Sequence, residues 1–352
     1  MKVFILSLLC FILAFNLPAE KIMDLPDVKK AHFVNVDGDD IFIGDQNSNF
    51  IHVYSLETHK LKFKLGGKGE GPGEFRYLPD ITYISPDYII ATNRGKYIWF
   101  SRDGKIIQEK IFPTIYGMTP LKDHYVAIYI TTDKMNATIV NKALCLVNSK
   151  FEKGKDLFLY KGDGGRMMPN DPPTREIPLL RNWFKFFCHD DKLFIVDSHR
   201  GFFIDVLDSN GDPLYSIDKN NEIELIKVPE DYKKRALEEL RLSYKDIWDR
   251  YHKSSFTFFK YFLPMRSIWI DDKKIYVPTY KEKENKLELI VLDLKGKILD
   301  RLFVPFESMK NQLIFGAVSL FTVHKDILYE LIDNEVTSTW ELHKTDLSAV
   351  KK

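Results

Sequence analysis

The sequence has 352 residues, with 51 lysines and arginines against 50 aspartates and glutamates, so its formal net charge at pH 7 is +1. This balance provides no global basic field, and nucleic-acid binding is therefore disfavoured. Aromatic residues are abundant, with 26 Phe and 17 Tyr, which favours sheets packed face to face. The length exceeds that of a typical single-core domain, unless the fold is a closed ring of repeats.

The first residues of the chain resemble an export signal. Met1 and Lys2 precede an apolar run that ends at Phe15, and this run is too short to span a bilayer comfortably. Ala19 supplies a small residue before Glu20, as at a signal cleavage site. We therefore predict a signal peptide at residues 1–19, a periplasmic or extracellular location, and no integral membrane segment in the mature chain. A retained membrane anchor is the alternative.

After this segment, a unit of three to four short apolar strands separated by polar turns recurs six times. The six units lie at residues 32–65, 81–111, 125–160, 183–217, 267–304 and 317–342. Turn pairs such as Asp37-Gly38 and Asp103-Gly104 separate strands, because both positions of such a hairpin turn tolerate positive φ. Residues 20–30 offer a further outer strand to close a ring. Short strands in an even rhythm are typical of a β-propeller.

Two insertions interrupt the rhythm, a long polar loop at 161–181 and a segment at about 228–255. In the second, Pro229, Glu230 and Asp231 provide a favourable helix start. Apolar residues then follow at helical spacing. They are Tyr232, Ala236, Leu240, Tyr244, Ile247, Trp248 and Tyr251. We expect this face to pack on the propeller, because an open aromatic stripe would be a large exposed patch.

Five glycines lie within eight residues of one stretch, which runs from Gly66 to Phe75. A P-loop requires Gly-Lys-Ser/Thr, but Lys68 is followed by Gly69. A dinucleotide-binding loop requires a third glycine where the chain has Pro72 or Glu74. Both phosphate-binding motifs are therefore excluded, and dense glycine here indicates a tight backbone crossing between two sheets.

The pattern Gly-x-x-Gly-x-Gly-Pro-Gly-x-Phe, followed by Pro-Asp-Ile, resembles the inter-blade segment of secreted bacterial six-bladed β-propellers, which are relatives of the NHL-repeat propellers. The match is close over residues 65–81. The resemblance implies an all-β fold, with one six-bladed propeller at 20–352. The helical segment at about 228–255 is then an insertion between blades four and five. The resemblance also implies a structural loop made of Gly66, Gly67, Gly69, Gly71, Pro72, Gly73 and Phe75. Because propellers host many unrelated activities, it does not define the function.

The sequence contains no metal-binding spacing and no Gly-x-Ser-x-Gly elbow, so we assign neither catalytic nor metal-binding residues. Cys145 and Cys188 lie in apolar strands, and we expect two buried thiols rather than a disulfide. One group of residues suggests a binding site, because propellers bring the starts of their innermost strands together. These starts carry Arg76 with Glu74, Arg181 with Asn182, and Arg266. Converging arginines would form an anion-binding mouth. The alternative is that each arginine is solvated or paired nearby.

We therefore expect an exported, non-catalytic binding or scaffold protein that recognises a protein, peptide or glycan on the ring face bearing the two insertions. This function needs no cofactor. The alternative is a metal-dependent hydrolase or lyase, since similar propellers of the lactonase type hold calcium in the channel with Glu, Asn and Asp ligands. Glu74, Asn182 and Asp80 are the calcium-ligand candidates that this resemblance implies.

Overall fold

The computed structural model describes residues 19–132, 140–161, 176–243, 255–309 and 319–350. Within these residues the chain forms six four-stranded antiparallel sheets, each of which is one blade of a ring. The predicted all-β, six-bladed propeller is therefore confirmed. Apart from Ala19, the predicted signal peptide lies outside the described residues.

Each blade is numbered by the position of its innermost strand in the chain. The first strand is β1 (Glu20–Leu25). Blade one comprises β2 (Ala31–Asp37), β3 (Asp40–Asp45), β4 (Phe50–Ser55) and β5 (Leu61–Gly66). Blade two comprises β6 (Asp80–Ile84), β7 (Tyr88–Asn93), β8 (Lys96–Ser101) and β9 (Ile106–Ile111). Blade three comprises β10 (Ile115–Leu121), β11 (His124–Thr132), β12 (Val140–Val147) and β13 (Lys153–Tyr160).

The second half of the chain adds three blades and one helix. A short strand β14 (Glu176–Pro178) precedes blade four, which comprises β15 (Phe184–His189), β16 (Lys192–Asp197), β17 (Phe203–Leu207) and β18 (Pro213–Asp218). Helix α1 (Glu230–Ser243) and strand β19 (Ser255–Thr257) follow. Blade five comprises β20 (Trp269–Asp271), β21 (Lys274–Lys283), β22 (Lys286–Asp293) and β23 (Ile298–Val304). Blade six contains β24 (Phe321–His324), β25 (Ile327–Asn334) and β26 (Thr339–Asp346).

Strand β1 completes blade six and thereby closes the ring. It pairs antiparallel with β26, with Glu20 opposite Lys344 and Leu25 opposite Trp340. The two ends of the described chain therefore share one sheet, as the sequence of residues 20–30 suggested. A ring closed in this way leaves only short outer edges.

The hydrophobic core is divided among the six junctions between neighbouring blades. The central strands of each blade are buried on both faces, and for this reason they are almost continuously apolar rather than alternating. Each junction contains a separate buried cluster of apolar side chains. Representative members are Phe42 and Ile98 (blades one and two), Trp99 and Met118 (two and three), Leu144 and Phe184 (three and four), Phe202 and Ile275 (four and five), Leu289 and Phe321 (five and six), and Leu331 and Ile43 (six and one).

Helix α1 lies between blades four and five in the chain, as predicted. Its buried side chains are Tyr232, Ala236 and Leu240, which follow one another at intervals of four residues. Tyr232 and Ala236 share a buried cluster with Phe262, so this part of the stripe packs on the propeller. Tyr244, Ile247, Trp248 and Tyr251 lie outside the described residues, as do positions 162–175 of the polar loop.

The prediction for blade three was wrong at its inner edge, because the unit begins at Ile115 rather than at residue 125. Strand β10 contains Gly117 and Pro120, two residues that normally argue against a strand. Its register with β11 shifts between Ile115 and Gly117. As an innermost strand, β10 pairs with one neighbour only, and Pro120 is tolerated there because it need not donate to a second strand.

Candidate binding site between helix α1 and blade five

A cavity of about 720 Å³ opens between α1 and blade five. It lies on the ring face at which the innermost strands begin, which we call the insertion face. Its walls are the start of α1, the end of β21, the segment before β20 and the segment after β23. The volume is in the usual range for ligand pockets, about 300–1,000 Å³.

Stacked aromatic rings form the apolar wall of this cavity. The rings of Phe262 and Tyr280 are parallel within 5°, with centroids 4.2 Å apart. Tyr232, from α1, meets Phe262 edge to face at 4.7 Å. The guanidinium carbon of Arg266 lies 5.4 Å from the Tyr280 ring centroid, on the same wall. Tyr280 therefore contacts an aromatic ring and a cation, an arrangement that makes the wall both apolar and polar.

The charged residues around the cavity are balanced. Three are basic and three are acidic: Arg235, Arg266, Lys281, Glu224, Asp231 and Glu282. Two ion pairs join them, Lys281 Nζ to Glu224 Oε2 at 2.8 Å and Arg235 to Asp231 at 3.6 Å. The Arg266 guanidinium also donates to the Met309 carbonyl at 2.8 Å. Burial raises the pKa of Tyr232 and Tyr280, so both hydroxyls keep their protons at neutral pH.

A second cavity, of about 340 Å³, occupies the central channel near the opposite face. All six innermost strands contribute to it, through side chains that include Tyr83, Thr119, Phe187, Trp269 and Thr322. The channel cavity is therefore small, and aromatic, aliphatic, polar and titratable side chains line it, the last including Asp37, His189 and Asp271.

An aspartate–histidine pair joins blades five and six beside this channel cavity. Asp271 contacts His324 Nδ1 at 2.9 Å and accepts the backbone N–H of Lys325 at 2.7 Å. Burial would raise the pKa of Asp271, but these bonds and the nearby His189 outweigh it and lower that pKa. The carboxylate therefore stays ionised and holds the ends of the two strands together.

Of the five residues predicted to bind a ligand, Arg266 lines the insertion-face cavity. Arg76 is largely exposed and lies 3.7 Å from Glu70. Arg181 and Asn182 precede β15 and line neither of these two cavities. The Asn182 side chain accepts from the Ser198 hydroxyl at 3.2 Å.

Glu74 forms a hydrogen bond within the glycine loop between β5 and β6. Its carboxylate accepts the backbone N–H of Gly71 at 3.0 Å. A Cβ placed on Gly69 would overlap the Glu74 carboxylate, so a larger residue there would displace this side chain from the Gly71 N–H. Phe75 anchors the loop, because it is 1 % exposed and its backbone N–H donates to Gly67 at 2.8 Å.

The proposed calcium ligands are engaged separately. Glu74 is bonded within its own loop and Asn182 to Ser198. Asp80 is exposed at the start of β6. In the portions of the chain that the structure describes, no group of three or more His, Cys, Asp or Glu side chains is placed to hold a metal. These residues do not fit a calcium site, and we derive no reaction step through a metal.

The sheet order, the ring closure and the clusters between blades define a six-bladed β-propeller. In agreement, residues 24–177 match the model of a protein family described as a 6-bladed beta-propeller. The resemblance seen in the glycine loop is thereby confirmed at the level of this fold. No curated protein matches the sequence significantly.

Solved structures resemble the chain at low identity. A candidate exported protein from Bacteroides fragilis shares 13 % identity, with 96 % of each chain covered and a TM-score of 0.54. The β-propeller domain of Swd1 from Myceliophteria thermophila shares 12 % identity over 93 % of this chain and 100 % of that chain, with a TM-score of 0.43. A calcium-binding regucalcin from Agrobacterium tumefaciens shares 10 % identity over 94 % and 96 %, with a TM-score of 0.43. At these identities the likeness concerns the fold.

None of the helices in the described residues is both long enough and apolar enough to cross a membrane.

Proposed function

We propose that the protein is an exported, non-catalytic binding protein that recognises a peptide segment of a partner through the cavity between α1 and blade five. The observation that carries this proposal is the wall formed by Arg266, Tyr280 and Phe262 in a ligand-sized cavity. The export signal predicted at residues 1–19 and the likeness to a candidate exported protein support the location.

The geometry favours a peptide over a glycan. Sugar rings bind proteins mainly through open aromatic faces, but Tyr280 stacks on Phe262 and also contacts Arg266. The balanced charges around the cavity favour a ligand that carries both donors and acceptors. A peptide backbone meets this requirement, because each residue other than proline has one donor and one acceptor. A purely anionic ligand would meet three carboxylates as well as three cations.

The proposal concerns binding, because the groups in this wall are held in unreactive states. Both tyrosines keep their protons, since burial raises their pKa. Lys281 and Arg235 are paired with carboxylates. These groups can orient a ligand and exclude water from it, as the rim and centre of an interface do.

The test is selection from a random peptide library on the mature chain, residues 20–352, followed by affinity measurements on two variants. We expect Arg266→Ala and Tyr280→Ala to weaken binding about tenfold or more, because truncating an arginine or aromatic side chain at the centre of a binding site costs on the order of 2 kcal/mol. The matched control is Tyr77→Ala, which removes a similar contact outside the cavity, where Arg94 lies 4.0 Å from the Tyr77 ring.

If Tyr77→Ala weakens peptide binding as much as the two cavity variants do, the peptide does not bind in the cavity between α1 and blade five. If the protein binds members of a glycan array and selects no peptide from the library, the ligand is a sugar and the peptide proposal is wrong. Thermal unfolding of each variant separates lost binding from lost folding. N-terminal sequencing of the protein recovered from the cell envelope tests export, with a start at Glu20 as the expected result.

A further inference from the structure

Lys185 is an enclosed lysine beside the central channel. It is the second residue of β15, the innermost strand of blade four, and it extends toward blade five. Its Nζ donates to the Ser267 hydroxyl at 2.9 Å and lies 5.0 Å from the centroid of the Trp269 ring. Trp269 in turn packs on Phe321, with centroids 4.1 Å apart. The amine is therefore held between two blades by a hydroxyl and an aromatic ring.

The surroundings of this amine differ from those of Lys96 and Lys219, two other lysines that are largely buried. Lys96 and Lys219 are each 16 % exposed, and each pairs with a carboxylate, Glu109 at 2.9 Å and Glu222 at 2.6 Å. In the part of the chain that the structure describes, no carboxylate lies within ion-pair distance of Lys185 Nζ. Water reaches its half-buried side chain, but the surrounding protein lowers the pKa of the amine to about 8.

Burial alone accounts for this change, with no contribution from a neighbouring charge. Tyr116, on the neighbouring β10, is exposed, and the other titratable groups on β15 and on β20 are Cys188, His189 and Asp271. All three lie toward the opposite end of the channel. Arg266 precedes Ser267 but donates to Met309 in the other cavity. At pH 7 an amine with a pKa of about 8 is roughly one-tenth neutral, against about one part in 3,000 for an ordinary lysine.

We propose that Lys185 and Ser267 form a carbonyl-binding site beside the channel cavity, at which the Lys185 amine forms a reversible Schiff base with a small uncharged aldehyde. The neutral Nζ attacks the carbonyl carbon and forms a C–N bond, while the C=O π pair moves to the oxygen. The nitrogen loses one proton and the oxygen gains one, giving a carbinolamine. Loss of water then forms the C=N bond, with no oxidation or reduction.

Ser267 and the channel define the class of ligand. The Ser267 hydroxyl contacts Nζ, so it is placed to donate a proton to the carbinolamine oxygen. Trp269 contacts the amine and also lines the channel cavity of about 340 Å³, together with Phe187. Polar groups such as Thr82, Thr119 and Asp271 also line this small space, which therefore suits a short, uncharged aldehyde. A lysine enclosed by apolar groups is a recognised form of amine nucleophile.

The test traps the Schiff base in the wild-type chain. The folded protein is incubated with propanal and cyanoborohydride at pH 7, and the alkylated lysines are identified and timed by peptide mass spectrometry. The matched control is Lys64, an exposed lysine whose Nζ also lies near a ring, 5.8 Å from the Phe50 centroid. We expect Lys185 to react about a hundredfold faster than Lys64, following its larger neutral fraction. Its rate should rise with pH to a plateau above about 8.

Ser267→Ala should slow the reaction of Lys185 without changing that of Lys64. Lys185→Arg should abolish the fast site while leaving the slower lysines unchanged. Labelling of Lys185 at or below the rate of Lys64 would overturn the proposal, as would a rate that keeps rising beyond pH 10. The main comparison, Lys185 against Lys64, uses the wild-type chain, so it does not depend on whether a variant folds. It is also independent of peptide binding at the insertion face.

Discussion

Ring closure depends on a small polar network around Glu341, on strand β26. Lys21, on the closing strand β1, contacts Glu341 Oε1 at 2.9 Å. His343 Nε2 lies 2.7 Å from the other carboxylate oxygen, and Asn334 donates to Oε1 at 2.8 Å. The Glu341 side chain is 8 % exposed. These contacts lower the pKa of Glu341 from 4.5 to about 2, with the bond from Lys21 as the largest cause.

We predict that Glu341→Gln destabilises the closed ring at neutral pH. The difference between 4.5 and about 2 corresponds to about 3 kcal/mol, at about 1.4 kcal/mol per pKa unit. Lys21 is 42 % exposed and the network lies near the outer surface, so water screens it and we expect about 1–2 kcal/mol. Because the folded-state pKa is lowered, this stability is present above pH 4.5 and is lost as the pH falls toward 2.

Urea unfolding of the wild type and Glu341→Gln at pH 7 and pH 3 measures this effect. The difference between the two proteins should fall at pH 3 to less than half its value at pH 7. Glu224→Gln is the control, because Glu224 forms a similar but exposed pair with Lys281, and no measurable change is expected. Equal stability of Glu341→Gln and wild type at pH 7 would refute the reasoning. If the free energy of unfolding falls by the same amount at both pH values, the effect comes from packing rather than from the charge of Glu341.

Two further predictions concern the buried Phe75 and the two thiols, of which Cys145 is buried and Cys188 half-buried. Phe75→Ala should lower the free energy of unfolding by about 3–5 kcal/mol, because it leaves a cavity under the glycine loop; urea unfolding measures the loss, and a change below 1 kcal/mol would contradict the anchoring role. Cys145 and Cys188 should resist iodoacetamide at pH 8 in the folded protein and react after denaturation, because burial raises the pKa of each thiol to about 12. Mass spectrometry counts the adducts, and rapid native alkylation of either thiol would disprove this expectation.

The fold was predictable because turn chemistry and apolar runs are local signals. Asp190 and Asp191 both adopt positive φ, at 48° and 54°, as the hairpin turn between β15 and β16 requires. Gly38, with φ of 60°, has the same role between β2 and β3. In each case the residues that set the turn lie within the turn, so the sequence alone contains the information.

Strand β10 was not predicted because this segment forms a strand through its position in the ring and not through its local sequence. Its glycine and proline weaken every local strand signal, yet its neighbours on both sides are innermost strands. The ring needs an inner strand between β6 and β15, and β10 fills that position with only one sheet partner. This tertiary context overrides local propensity, and it cannot be read from a short window of sequence.

The candidate sites were predictable only in part. Arg266 was identified because it precedes an innermost strand. The aromatic wall beside it joins Tyr232, Phe262 and Tyr280, which come from three separate segments of the chain. The contact between Lys185 and Ser267 spans 82 residues of sequence. Residues this far apart leave no spacing pattern, so their proximity follows from the fold and not from a motif.

Pairing β1 with β26 closes the ring by joining two segments that lie far apart in the chain. Lys21 and Glu341 are 320 residues apart, and joining such distant segments costs more chain entropy than forming a hairpin. By the logarithmic rule, lengthening a loop from about 20 to about 320 residues adds on the order of 2.4 kcal/mol. Met23 and Leu25 are 7 % and 0 % exposed, and burial of each contributes about 1.5–3 kcal/mol. These two side chains therefore outweigh the added cost, which explains how a six-residue strand with only three apolar residues closes the ring.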